Sequence, residues 1–203
     1  MNSRPPVSPK LAIPFGILTV STASIFIRYA QADVSSIVIA AGRLSIAGVI
    51  LAVIVALRYR DEMRILTRRE LILALISGFF LSLHFASWIT SLEYTTVASS
   101  VVMVSTSPLW VALLAPLTIK EPVKRVVLIG MGLALLGGTI VGLSDSCLPA
   151  GGGFQCPPIS DFIAGEAFLG DMLALAGALT GAGYLLIGRR LREKISLIPY
   201  IFL

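Results

Sequence analysis

Charge is what this sequence has least of. Charged residues fill 13% of its 203 positions, against roughly 25% in a soluble domain. Such a chain cannot coat its own surface with groups that water solvates. Histidine is nearly absent, His84 being the single one. The two cysteines, Cys147 and Cys156, are too few for a disulfide scaffold, and no CxxC pair or histidine partner points to a metal. Both lie in one Gly/Pro-rich loop. They read either as a loop-closing disulfide, if that loop faces an oxidising compartment, or as two unpaired thiols. No HExxH, GxSxG or P-loop is present, and no paired aspartates interrupt the apolar runs. Enzymatic and ATP-driven chemistry is excluded on that ground, and neither cofactor nor metal is expected. The net charge is +5, but no basic helix or aromatic stacking platform goes with it, so nucleic acid is not an expected partner.

What the chain has is apolar length. Hydrophobic residues make up 56% of it, and the mean hydropathy is +0.92. Six runs stand out, at 11–29, 37–57, 71–92, 95–119, 126–143 and 168–187. A helix needs about 20 mainly apolar residues to cross a bilayer, and each run qualifies. The expected class is an all-α membrane protein, a polytopic helix bundle in a lipid bilayer. The first run, followed by Ala30-Gln31-Ala32, imitates a signal peptide. Its length, and Arg28 between the apolar core and the supposed cut, argue against cleavage. Residues 195–203 are apolar but only about half a span, so the sequence is expected to be truncated where a seventh helix begins.

Basic residues set the expected orientation. Arg4 and Lys10 precede the first run. Arg58, Arg60, Arg64, Arg68 and Arg69 follow the second, Lys120, Lys124 and Arg125 the fourth, and Arg189, Arg190, Arg192 and Lys194 the sixth. The alternate loops hold Arg28 with Asp33, then Glu93, then Asp145, Asp161 and Glu166. Positive charge marks the cytoplasmic side. The N-terminus is therefore expected in the cytoplasm of a multi-pass plasma-membrane protein, with the cysteine loop outside.

The sixth run echoes the first. A shift of 161 residues lays Gly16, Leu18 and Thr19 on Gly177, Leu179 and Thr180, and Arg28 on Arg189. A period of five helices makes the second copy enter the membrane in the opposite sense, and inverted repeats are a signature of secondary transporters. The expected organisation is a leader at 1–10, a five-helix repeat at 11–143, an extracytoplasmic loop at 144–167 and the first helix of a second, inverted repeat at 168–203.

Groups that dislike lipid concentrate in the second, third and fourth runs. Arg43 falls about 7 residues into the second run, roughly 10 Å below the outer surface at 1.5 Å per residue. It reads as a binder of an anionic substrate group or of a gating carboxylate; it also reads as a structural arginine on carbonyls, or one that snorkels. His84 falls at the same depth and shares a face with Trp88, four residues on, and with Ser77 and Ser91. That face reads as a cavity wall with a proton-sensitive group, or as an inter-helix hydrogen bond beside an interfacial Trp. In the fourth run Ser99 with Thr106, and Ser100 with Ser107, form stripes of hydroxyls. Pro108 lacks an N–H and frees a carbonyl around Val104, which fits a binding element as well as small-residue packing. Gly130, Gly132, Gly137, Gly138 and Gly142, and then Gly177, Gly181 and Gly183, read as close-packing faces. Glu93 and Glu121 flank helix ends.

Ser91-Leu-Glu-Tyr94-Thr-Thr, then Ser107-Pro-Leu-Trp110-Val-Ala-Leu, then Lys120-Glu121-Pro122, then Gly130-x-Gly132-Leu-Ala-Leu-Leu-Gly137-Gly138 follow one another in an order and spacing that resemble the EamA family of the drug/metabolite transporter superfamily. Arg43 also stands where that family often has an arginine. Lys120 and Pro122 depart from the family's glycine and arginine around the glutamate, and Ser21 and Thr22 stand near its common Trp-Gly pair. The resemblance implies a ten-helix transporter of two five-helix repeats, with a central cavity and alternating access. A small-molecule metabolite is then the expected substrate, and Arg43, His84, Trp88, Ser100, Met103 and Ser107 are its expected lining. The missing partner would be the second repeat or a second copy of the chain. The competing reading is a membrane scaffold or sensor that transports nothing; it gains if the polar groups point to different faces.

Overall fold

The computed structural model of the chain describes residues 8–118, 123, 125–144, 147–150, 153–155 and 158–203. Arg4, Lys120, Glu121, Pro122, Lys124, Asp145 and Cys156 lie outside the described residues.

Each of the six apolar runs is helical. The order is α1 (Pro9–Ala30), α2 (Ser36–Arg58), a short α3 (Arg60–Arg64), α4 (Arg68–Tyr94), α5 (Val97–Val104), α6 (Ser107–Thr118), α7 (Arg125–Ser144), strands β1 (Leu148–Ala150) and β2 (Gly153–Gln155), then α8 (Ile159–Ala164), α9 (Glu166–Leu191) and α10 (Leu197–Phe202). Among the described residues, four segments are long and apolar enough to cross a membrane: α2, α4, the pair α5–α6 and α9. The architecture is that of an all-α, multi-pass membrane protein. Two small features inside the long loop were not anticipated. Leu148 to Ala150 pairs antiparallel with Gly153 to Gln155, and α8 follows. Cys147, beside this ribbon, is held in a disulfide.

Local chemistry sets the helix ends. α4 starts in a capping box: the Thr67 hydroxyl accepts from the Glu70 N–H, and the Glu70 carboxylate accepts from the Thr67 N–H at 2.8 Å, so two otherwise unpaired donors are satisfied at once. Thr96 caps α5 by accepting from the Ser99 N–H at 3.1 Å. The fourth run does not stay one helix. It breaks at Ser105 and Thr106, where the Thr106 N–H turns back to the Met103 carbonyl. Pro108 has no N–H to give to the Val104 carbonyl, and the Ser107 hydroxyl donates to that carbonyl instead, at 2.9 Å. Proline near the start of α6 costs little, because the first turn of a helix needs no such donor.

The centre of the bundle is the antiparallel pair α4 and α9, with α2 on the other flank of α4 and α5 and α6 against α9. Small side chains make the pair possible. Gly170, Ala174, Gly177, Ala178, Gly181 and Ala182 are all buried along α9. A methyl group on Gly177 would sit 3.3 Å from the His84 carbonyl oxygen and the Trp88 Cβ, and one on Gly170 would sit 2.7 Å from the Thr95 Cβ. Without a hydrophobic drive inside lipid, such backbone approach is what holds helices together. The glycines of α7 differ from expectation. Gly130, Gly132 and Gly137 have nothing within 4 Å of where a Cβ would be, and among the four whose surroundings are described only Gly138 reaches a neighbour, Met103 and Val102 at 3.8 Å. α7 also exposes Leu133, Leu136 and Ile140. α10 is seated by Tyr200, whose hydroxyl lies 2.8 Å from Ser77 Oγ and donates to the Tyr184 carbonyl at 2.7 Å.

Candidate functional site

Where α2 crosses α4, an arginine lies on a floor of aromatic rings. The Arg43 guanidinium is 5.3 Å from the Phe85 ring centroid and 5.9 Å from that of Trp88. Ring faces attract a guanidinium through their negative quadrupole, which offsets part of the cost of a cation within the membrane. Phe85, Trp88 and His84 pack together, His84 nearly parallel to Trp88 at 6.2 Å and edge-on to Phe85 at 5.1 Å. Equal depth on two neighbouring helices, read from residue counting, is thus met as proximity. Arg43 also lines a cleft of about 460 Å³ between α2, α4 and α10, walled by Leu44, Ala47, Leu81, Phe85 and Tyr184.

His84 carries two contacts that define its role. Its Nδ1 is 2.7 Å from the Gly177 carbonyl of α9. A carbonyl only accepts, so Nδ1 holds the proton of that bond and Nε2 is left as the second site. The ring also borders Gly181: a methyl group there would be 2.8 Å from His84 Nδ1 and 3.4 Å from Ser107 Oγ. His84 and Ser107 therefore both border Gly181, where α9 has no side chain. Trp88 is 5% exposed, inside the bundle rather than at its rim, and its Nε1 has no hydrogen-bond partner among the described residues.

The expected lining residues divide. Arg43, His84 and Trp88 form one cluster, and Ser107 adjoins it through Gly181. Ser100 and Met103 go elsewhere. Ser100 is fully buried and its hydroxyl lies 2.6 Å from that of Ser91, while Met103 faces Gly138 of α7. The break before α6 turns Ser107 toward α4 and leaves the earlier hydroxyls on other contacts.

Two polar networks escaped the sequence reading. Asp171 of α9, 5% exposed, accepts from the Thr95 hydroxyl at 3.1 Å and from the Ser99 hydroxyl at 2.7 Å. An acid five residues inside the last span was the available signal, since such groups are costly in lipid. At the same end of the bundle, Arg28 donates to the Leu92 carbonyl, Gln31 donates to the Ile89 carbonyl at 2.7 Å, and Ser36 donates to the Glu93 carboxylate. These bonds fix the α1–α2 corner onto the last turn of α4. Glu93, read as a loop charge, is an acceptor for the start of α2.

A family model described as the EamA-like transporter family matches residues 11–143. No curated protein and no solved structure matches the chain.

Proposed function

The chain belongs to the EamA-like transporter family, whose members are transporters rather than enzymes, and from that premise we propose a secondary transporter that moves a small metabolite across the plasma membrane by alternating access. The observation that carries the reading is the meeting of Arg43, His84 and Trp88 at the α2–α4 crossing. Groups this costly in lipid persist in a span when they serve a cavity. The broken α5–α6 segment beside them supports it, since interrupted helices frame the sites of many carriers. The scaffold reading gains from Ser99 and Ser100, whose hydroxyls go to Asp171 and Ser91, and loses at the α2–α4 crossing, where Arg43, His84 and Trp88 share one place.

The proposed membrane orientation has the N-terminus in the cytoplasm, which the basic clusters support. The Cys147 disulfide fits a loop on the oxidising side. A second five-helix repeat, inverted and begun by α9, or a second copy of the chain, would complete the cavity against the exposed apolar side of α7. The test is uptake and efflux of a metabolite panel in vesicles made with the complete gene product. Saturable flux of at least one solute, lost in Arg43→Ala, is expected. Flux of none, or flux that Arg43→Ala leaves unchanged, sinks the assignment.

A further inference from the structure

The Arg43 guanidinium has a floor and no acceptor. Phe85 and Trp88 meet it through ring faces, which attract the cation but accept none of its five N–H donors in the plane. Among the described residues it makes no hydrogen bond and no ion pair, so the gating carboxylate that would have been one use for it is not found there. Nearby, the buried Trp88 Nε1–H has no acceptor among the described residues either. The cleft beside them is otherwise walled chiefly by carbon: Leu44, Ala47, Leu51, Leu81 and Phe85, with Tyr184 of α9 and Ile201, Phe202 and Leu203 at its α10 side. A guanidinium held from one side presents its edge, and an edge of parallel N–H donors matches a carboxylate in a two-point fork. A phosphate monoester would bring about two negative charges to a cleft lined by one cation.

We propose that this cleft binds a small organic monoanion, a carboxylate with an aliphatic or aromatic body, its charged end on the edge of Arg43 and its body against Leu44, Ala47, Leu81 and Phe85. The proposal names the substrate class for the site and rests on its reading as a solute path. An anionic lipid headgroup offers a similar charge, so the test separates the two.

The two tryptophans are Trp88 and Trp110. With every other tryptophan of the full-length protein, Trp110 included, replaced by Phe, emission reports on Trp88 alone. The full-length protein in phosphatidylcholine nanodiscs is titrated with benzoate and hexanoate and with their uncharged amides. Both acids are expected to change Trp88 emission saturably, with amides at least about tenfold weaker, the scale of one charge-assisted hydrogen bond. Arg43→Gln is expected to bring the acids down to the level of the amides. Arg43→Lys, which keeps the charge and loses the fork, is expected to fall between and so guards against a merely misfolded variant. Equal responses to acid and amide, an unchanged Arg43→Gln, or no saturable response overturn the proposal. So does an emission change produced by adding phosphatidylglycerol to the nanodiscs that benzoate does not displace, since a headgroup then occupies the cleft. The vesicle assay fails separately: flux of neutral solutes without a benzoate response removes the anion and keeps the transporter, while a benzoate response without any flux keeps the anion site and removes the transporter.

Discussion

A carboxylate inside an apolar helix must be given donors, and Asp171 has them. Thr95 and Ser99 both direct hydroxyls at it, and both come from the corner between α4 and α5. The same corner is where Gly170 lets the backbones approach most closely. Asp171 therefore ties α9 to a corner that no apolar contact could hold as specifically. Removing the acid leaves two buried hydroxyls without their acceptor, which costs about 1–3 kcal/mol. Hydrogen bonds between membrane helices average about 0.6 kcal/mol, with some near 1.7. A double-mutant cycle of Asp171→Ala and Ser99→Ala, followed by thermal denaturation of the purified protein, is expected to give a coupling of about 1 kcal/mol. A coupling within about 0.3 kcal/mol of zero, the scatter of independent sites, would show that the two groups do not act together.

Elements respond to substitution according to what faces them. Gly177→Leu drives a side chain into the His84 backbone and Trp88, already only 3.3 Å from a Cβ, and is expected to lower stability by about 1–3 kcal/mol. Gly130→Ala on α7 meets open space and is expected to be neutral or to gain up to about 1 kcal/mol from helix propensity. If Gly177→Leu melts no lower than Gly130→Ala, the α4–α9 seam is not what organises the bundle. Pro108→Ala restores an N–H that competes with Ser107 for the Val104 carbonyl. It is expected to join α5 to α6 and to slow transport while stability holds; unaltered transport rates would make the break incidental. These cases also show what the sequence could carry. Helix positions were legible because the bilayer dictates length, and the freed Val104 carbonyl was legible because proline acts on its own carbonyl neighbours, though not that the run divides there into two helices. Arg43 and His84 could be put at one level by counting residues. Phe85, which lies under Arg43, could not be found this way, because counting gives depth and not rotation about the helix axis. Ser100 and Met103 lie on Ser91 and Gly138 instead for the same reason: the turn at Ser105 and Thr106 gives Ser107 a rotation that the residues before it do not share. Asp171, inside the sixth run, was not singled out, and strands of three residues are too short to show a period.

At the scale of the whole molecule the polar contacts collect at two ends. At one, Lys194 pairs with Glu70, and the Ser196 N–H donates to Glu62 at 2.7 Å, so the turn after α9 is joined to α3 and the start of α4. Arg68, Arg69, Arg189 and Arg190 gather there because α4 and α9 run antiparallel. At the other end are the Asp171 and Glu93 networks, with α8 and the Cys147 loop beyond them. Among the described residues one of these ends is rich in positive charge, and positive charge favours retention in the cytoplasm, the orientation proposed above. A cysteine is introduced into a background in which every other cysteine of the full-length protein, Cys147 and Cys156 included, is alanine, at Asp61 for the basic end or at Ser160 for the other; both positions are exposed. A thiol reagent that cannot cross membranes is expected to label Ser160→Cys in intact cells and Asp61→Cys only after permeabilisation. The reverse pattern would invert the orientation, and labelling of both from outside would mean that the chain inserts in both senses. Either result would also reverse, or blur, which side of the membrane the Arg43 cleft is nearer, and with it the side from which an anion reaches the cleft first.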